Sequence, residues 1–207
     1  MYNFLFKNLT KFCKKSPSSK SESSLEAKFC YFLEFNDDVV SYKEQPFTIN
    51  CDGTLYTPDF LVSYFNGDEI IYEIKHLKIL SREKQKSKMN KVVNYFLRKN
   101  LKFKIITERD LNTTEFRNLK FLYRYMDTPT NYDTYSEKIK NLLSNPKKIS
   151  EVLFTMNSGY GKNSVKGILP VLWHMIAKKH VKIDLKKPLS TSTILFLNEK
   201  SRSWLWY

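Results

Sequence analysis

The amino-acid sequence predicts an α/β sandwich with a mixed sheet, followed by a second domain of winged-helix outline. Three observations carry this. Up to residue 127 the periodic segments run helix, three antiparallel strands, helix, strand, helix, which fits one sheet covered by helices. Beyond residue 130 the pattern becomes three helices with two short strands, VKIDL at 181–185 and TILFL at 193–197. Hydrophobic residues make up 42% of the 207, with 15 Phe and 13 Tyr, enough for a packed core and against global disorder. The expected division is a flexible arm over 1–23, one domain over 24–127 and another over 132–207, without internal repeats.

Each element has a local reason. Residues 14–23, KKSPSSKSES, are Ser- and Lys-rich and suit an arm. Ser23 and Glu26 have capping-box spacing and start a helix over 24–35, with Leu25, Phe29, Phe32 and Leu33 on its apolar face. Residues 39–50 alternate as a strand, bent or interrupted at Pro46. Asp52-Gly53 is a hairpin turn signal, and 54–65 and 69–75 are strands separated by Asn66-Gly67. A helix over 81–99 carries Met89, Val92, Val93, Phe96 and Leu97 on one face and lysines on the other. A strand over 101–107 and a helix over 114–125 complete the first domain, and Thr128-Pro129-Thr130-Asn131 is a linker. Helices over 133–144, 148–157 and 164–179 precede the last two strands.

Composition excludes several classes. Five glycines, with no GxxxxGK[ST] and no GxGxxG, argue against the phosphate-loop and dinucleotide-binding enzymes. Cys13, Cys30 and Cys51 lack CxxC spacing and are odd in number, as reduced thiols are. No apolar run approaches ~18 residues, so no membrane span is expected, and the basic start suits an irregular arm better than a signal peptide. His76, His174 and His180 lack metal spacing, and His174 is expected to pack against a helix neighbour.

The formal net charge is +14, which favours a polyanionic partner. Its distribution is uneven: residues 1–75 hold eight Lys/Arg against eleven Asp/Glu, whereas 76–104 hold ten against one. The basic block begins directly after Lys75. A solvated helix face accounts for such a run; a phosphate-contacting surface beside an acidic cluster accounts for its position. On the second reading Lys78, Arg82, Lys84, Lys88 and Lys91 contact DNA.

The acidic cluster is Asp59 with Glu73 and Lys75. The pattern [DE]xK occurs three times, at Glu26, Glu73 and Asp184, but only Glu73-Ile74-Lys75 lies on a strand preceded by one carrying Pro58-Asp59. Glu73 and Lys75, two apart on a strand, share a face. A two-residue loop at Asn66-Gly67 pairs Asp59 with Ile74 and turns it to the opposite face. A three-residue loop, Asn66-Gly67-Asp68, or a bulge brings all three together. Paired carboxylates suit a divalent ion that offsets a phosphodiester's charge and activates water. Asp59 and Glu73 are then direct ligands, the Ile74 carbonyl a third, and Glu26 reaches the ion directly or through water. Lys75 orients or helps deprotonate the attacking water and stabilises the phosphate. Plainer readings exist: Asp59 as a polar strand-start residue, Glu26 as a cap, Glu73 and Lys75 as a solvent-facing stripe. Ile70, Ile71, Tyr72 and Ile74 weaken the last, because they describe a strand buried on both sides.

From Leu25 to Leu111 the sequence resembles the TnsA endonuclease subunit of heteromeric transposases. The matching residues are Ser24-Leu25-Glu26, Val40 with Tyr42-Lys43-Glu44-Gln45-Pro46, Tyr56-Thr57-Pro58-Asp59-Phe60-Leu61-Val62, Tyr72-Glu73-Ile74-Lys75 and Ile106-Thr107-Glu108. The resemblance implies a restriction-endonuclease-like fold of the PD-(D/E)xK class, with Glu26, Asp59, Glu73 and Lys75 catalytic. It implies Mg²⁺-dependent hydrolysis at the 5′ ends of a transposon, with Mn²⁺ as a substitute. It also implies a separate DDE transposase (TnsB-like) for the 3′ ends and an AAA+ ATPase regulator (TnsC-like) contacted by the carboxy-terminal domain, in the bacterial cytoplasm at the nucleoid. A stand-alone restriction or junction-resolving nuclease, and a non-catalytic DNA or ATPase adaptor, are the rival expectations.

Overall fold

In the computed structural model, which describes residues 25–160 and 165–198, the chain divides after Asn112 into two units. The expected arm and the Ser23 cap lie outside the described residues, as does Cys13.

The first unit begins with α1 (Leu25–Glu34), which buries Leu25, Ala27, Phe29, Cys30, Tyr31 and Leu33. The predicted strand over 39–50 is two strands in two sheets, β1 (Val39–Glu44) and β2 (Ile49–Cys51). Gln45 takes φ of 44°, a left-handed conformation, and Pro46 cannot donate to a ladder, so pairing ends there. The predicted strand over 54–65 is likewise β3 (Thr54–Tyr56) and β4 (Phe60–Tyr64), separated by Thr57-Pro58-Asp59. Asp59 therefore stands at the entrance of β4 rather than inside a strand. The β2–β3 hairpin turns at Asp52 (φ 49°) and Gly53 (φ 83°), the left-handed pair that a two-residue hairpin loop needs.

Next come β5 (Glu69–Ile74), a single turn α2 (Leu77–Leu80), α3 (Glu83–Arg98), β6 (Lys102–Ile106) and a second single turn α4 (Glu108–Leu111). The main sheet runs β1-β4-β5-β6, antiparallel except for the parallel β5–β6 pair, so it is mixed as expected. One face packs against α1 and α4 through Phe29, Phe60, Tyr72, Ile74 and Leu111. Phe29 meets Phe60 edge-on at 5.3 Å and Tyr72 at 4.9 Å, contacts worth about 0.5–1.5 kcal/mol each beyond their buried area. The other face packs against α3 through Leu61, Ile71, Met89, Val92 and Phe96. Leu97, expected on the same helix face, falls past its edge and is 68% exposed. Cys30 and Cys51 are buried free thiols, and burial, with Glu44 beyond it, pushes Cys30 up to about 12, so Cys30 fills the core and does not react.

The β4–β5 loop has three residues, Phe65-Asn66-Gly67, one position earlier than the three-residue loop considered from sequence. Tyr64 N–H donates to Asp68 O, Gly67 N–H donates to Tyr64 O, and Gly67 has φ of 83°. A Cβ on Gly67 would meet nothing within 4 Å, so Gly67→Val is opposed by the backbone alone, at roughly 1–2 kcal/mol. A thermal melt should show that loss; an unchanged midpoint would mean that the loop is not held in this conformation.

The second unit holds α5 (Thr114–Tyr123), α6 (Tyr132–Leu142), β7 (Lys147–Lys148), α7 (Ile149–Tyr160), α8 (Val165–Ala177), β8 (Val181–Lys182) and β9 (Ile194–Leu197), with sheet order β7-β9-β8. Sequence placed α5 in the first domain; here it groups with the second. Asn118, buried on α5, donates to Leu185 O at 2.8 Å and Lys187 O at 2.7 Å, and Phe121 meets Trp173 edge-on at 5.2 Å. His174 is buried as expected, its Nδ1–H donating to Tyr125 O at 2.9 Å. Among the described residues, no helix is long and apolar enough to cross a membrane.

Candidate active site

The β4–β5 register decides what this site is. Phe60 pairs with Tyr72 and Leu61 with Ile71, so one further step sets Asp59 against Glu73. Opposed residues share a face, and Lys75 shares it two positions on. The alternative, Asp59 opposite Ile74 and turned away, is not formed.

Asp59 is fixed by its backbone and by its side chain. Gln45 N–H, at the left-handed bend after β1, donates to Asp59 O at 2.9 Å. Asp59 Oδ2 accepts from Ile74 N–H at 2.7 Å. The N–H and C=O of one strand residue point to the same edge, so the Ile74 carbonyl is also on the Asp59 side. Lys75 N–H points the other way, to Ile106 O on β6 at 3.0 Å.

Glu73 is 2% exposed, and a carboxylate so buried needs partners. It has two: Lys75 Nζ stands 2.8 Å from Oε1, and Tyr56 OH donates to Oε2 at 2.6 Å. Burial first and the Glu73 charge second push Asp59 up to about 6, against the opposing pull of Ile74 N–H and Lys75. Burial works against the Lys75 charge, but hydrogen bonding and attraction from Glu73, with Asp59 and Glu26 beyond it, hold its pKa above the usual lysine value. The patch thus crowds acid groups and keeps its lysine charged.

Glu26 is exposed on α1. It acts on Asp59 and Lys75 through space, but no group of three His, Cys, Asp or Glu side chains able to hold a metal forms among the described residues. Two carboxylates and one backbone carbonyl are an open set of hard oxygen donors. That set suits an ion that keeps several of its waters, as Mg²⁺ does, and does not suit an ion caged by protein. Burial is the larger cause of the raised Asp59; the Glu73 repulsion that adds to it is what a divalent cation would relieve.

Lys78 on α2, and Arg82, Lys84 and Lys91 at the start and along α3, are exposed; Lys88 is half-buried with Nζ 6.0 Å from the centre of the Tyr56 ring. Lys86, Arg98 and Lys102 are instead engaged by Glu83, Asp52 and Asp68. Sequence reasoning gave no role to Tyr56, Gln45 or Glu108. Glu108 Oε2 accepts from Leu77 N–H at 2.9 Å, which holds its carboxyl below the usual range and anchors the chain just after Lys75. A cavity of about 590 Å³ lies in the second unit, lined by Arg117, Phe121, Leu153, Leu169, Trp173 and Leu189 among others; none of the four acid and lysine residues above lines it.

A mixed sheet that presents an aspartate and a Glu-x-Lys pair from adjoining strands fits an α/β nuclease fold. The chain belongs to the TnsA endonuclease family: a family model described as TnsA-like endonuclease N terminal matches residues 36–108, and one described as TnsA endonuclease C terminal matches residues 110–185. Membership makes it a DNA endonuclease of Tn7-type transposition, a process carried out by a transposase complex with DNA. The two matches meet close to the unit boundary after Asn112. No curated protein matches the chain.

Proposed function

We propose that this protein hydrolyses the phosphodiester at the 5′ ends of its transposon, with Asp59, Glu73 and Lys75 as the catalytic set and Mg²⁺, replaceable by Mn²⁺, as the ion. The observation that supports it most is the register that opposes Asp59 to Glu73. Asp59, Glu73 and the Ile74 carbonyl would hold the ion, with Glu26 reaching it through water. Such an ion offsets the phosphate charge and lowers the pKa of a bound water. Hydrolysis bonds the water oxygen to phosphorus as that water gives up one proton to solvent, and breaks one P–O ester bond, whose departing oxygen takes one up. Lys75, held charged by its acid neighbours, orients the water and donates to the phosphate oxygens as negative charge builds there; it does not begin as the base.

The exposed cations of α2 and α3 follow Lys75 directly in the chain and grip phosphates without reading bases. A Lys84→Gln/Lys91→Gln variant should bind all duplexes more weakly, with the slope of log affinity on log salt reduced by about 1 for each phosphate that is no longer neutralised. Fluorescence anisotropy at several salt concentrations measures this, and an unchanged slope would place the phosphates elsewhere. In this reading α6, α7, α8 and the β7-β9-β8 sheet are a winged helix that meets a TnsC-like AAA+ ATPase, and a TnsB-like DDE transposase cuts the 3′ ends. The test is strand-resolved cleavage of a transposon-end duplex with and without those partners. Cleavage only in the assembly supports the proposal. Cleavage of plain duplex by the chain alone favours a stand-alone nuclease, and assembly without 5′ cleavage favours an adaptor.

A further inference from the structure

We propose that Tyr56 is the positioning residue for Glu73, and that the β2–β3 hairpin serves the site by delivering it. The proposal rests on the nuclease reading for what Glu73 holds; the positioning itself rests on geometry.

A glutamate has three rotatable bonds, and the partner on its Oε1 is a lysine, a flexible chain whose side chain is 32% exposed. Neither end of that pair is a rigid reference. Tyr56 is one. It is 3% exposed, and its ring packs edge-on against a stacked aromatic pair, Phe96 of α3 at 6.1 Å and Phe103 of β6 at 6.4 Å, themselves 5.0 Å apart. Across the hairpin it pairs with Ile49. The hairpin turn is closed by Gly53 N–H donating to Asn50 Oδ1 at 2.8 Å, and Arg98 ties it to α3 through Asp52 at 2.6 Å. With only two torsions and a locked ring, the phenol puts its O–H at one place, 2.6 Å from Glu73 Oε2. Lys88 of α3 lies over the same ring, so a candidate phosphate-binding cation packs on the residue that holds the candidate metal carboxylate.

A tyrosine that merely filled the core would tolerate loss of its hydroxyl, whereas partners that orient a metal ligand typically govern affinity by 10–100-fold. The experiment is titration of the full-length chain with Mn²⁺, followed calorimetrically and by the loss of the free-ion electron paramagnetic resonance signal, with circular dichroism confirming the fold. Tyr56→Phe should weaken Mn²⁺ binding by about 10-fold or more and slow cleavage at limiting metal. In a Glu73→Gln background the same change should do nothing further. Tyr64→Phe, which removes a hydroxyl from the Tyr64–Tyr72 pair on the opposite face, should bind Mn²⁺ as wild type does. Wild-type affinity in a folded Tyr56→Phe protein overturns the positioning role while leaving Asp59 and Glu73 in place. Failure of the wild-type chain to bind Mn²⁺ overturns the proposed metal site at Asp59 and Glu73, and this role with it.

Discussion

Asp59→Ala and Lys75→Ala, assembled with their partners on transposon-end DNA, should leave 5′-strand cleavage at least ~10²–10³-fold slower while the complex forms as before. The two losses have different causes. Asp59 is one of the two opposed carboxylates of the patch, so on the proposed reading its removal would take away an ion ligand and, with it, the activated water. Lys75 is the cation of the proposed set, held charged beside Glu73, so its removal would take away charge that the proposal aims at the phosphate. Neither substitution opens a cavity in the two hydrophobic clusters, which the sheet packs from Phe60, Leu61, Ile71 and Tyr72. A denaturing gel that resolves both strands measures the result. Cleavage at the normal rate by either variant rejects its catalytic assignment.

Asp59→Asn should make the metal-free protein more stable at pH 8, by about 1 kcal/mol after allowing for solvent at this half-buried site, or roughly 2–4 °C in melting midpoint. Asp59 is raised from 3.8 in the unfolded chain to about 6 in the fold, so between these values the unfolded chain holds fewer protons than the folded one. Stability from this group is therefore complete below about pH 4, falls as pH rises, and has been lost once pH passes about 6. Burial first, then Glu73 and more weakly Glu26, oppose the charge; Ile74 N–H and Lys75 favour it but do not prevail. Asparagine keeps an acceptor for Ile74 N–H and carries no charge. Its advantage should shrink when both proteins are melted at pH 5 in EDTA. Adding Mg²⁺ at pH 8 should raise the wild-type midpoint and leave Asp59→Asn unmoved. Equal melting of the two proteins across this range would show that the carboxylates are not in conflict.

Much of this was legible in the sequence because its signals are local. The apolar spacing of α1, the Asp52-Gly53 turn and the amphipathic run of α3 all state their own structure. The mixed sheet followed from element order. The strand breaks were harder: alternation continues through Pro46 and Pro58, and only the left-handed Gln45 and the exit of the chain to a second sheet end β1 and separate β3 from β4. Convergence of Asp59 with Glu73 and Lys75 could be stated from sequence only as a condition on loop length, because a slip of one residue reverses a strand's faces. Tyr56 was hidden for another reason. Its bond to Glu73 spans two sheets, and nothing in the spacing of the two residues reports it. Helix α5 was misplaced because its anchor, Asn118, finds its acceptors some seventy residues away.

The measurement that bears most directly on the site is anomalous diffraction from crystals of the full-length chain soaked in Mn²⁺. The register predicts a single strong peak between the Asp59 and Glu73 carboxylates, about 2.0–2.3 Å from an oxygen of each and within reach of the Ile74 carbonyl. A peak bound elsewhere, with those two carboxylates free of metal in a protein that still cuts DNA, would contradict the account.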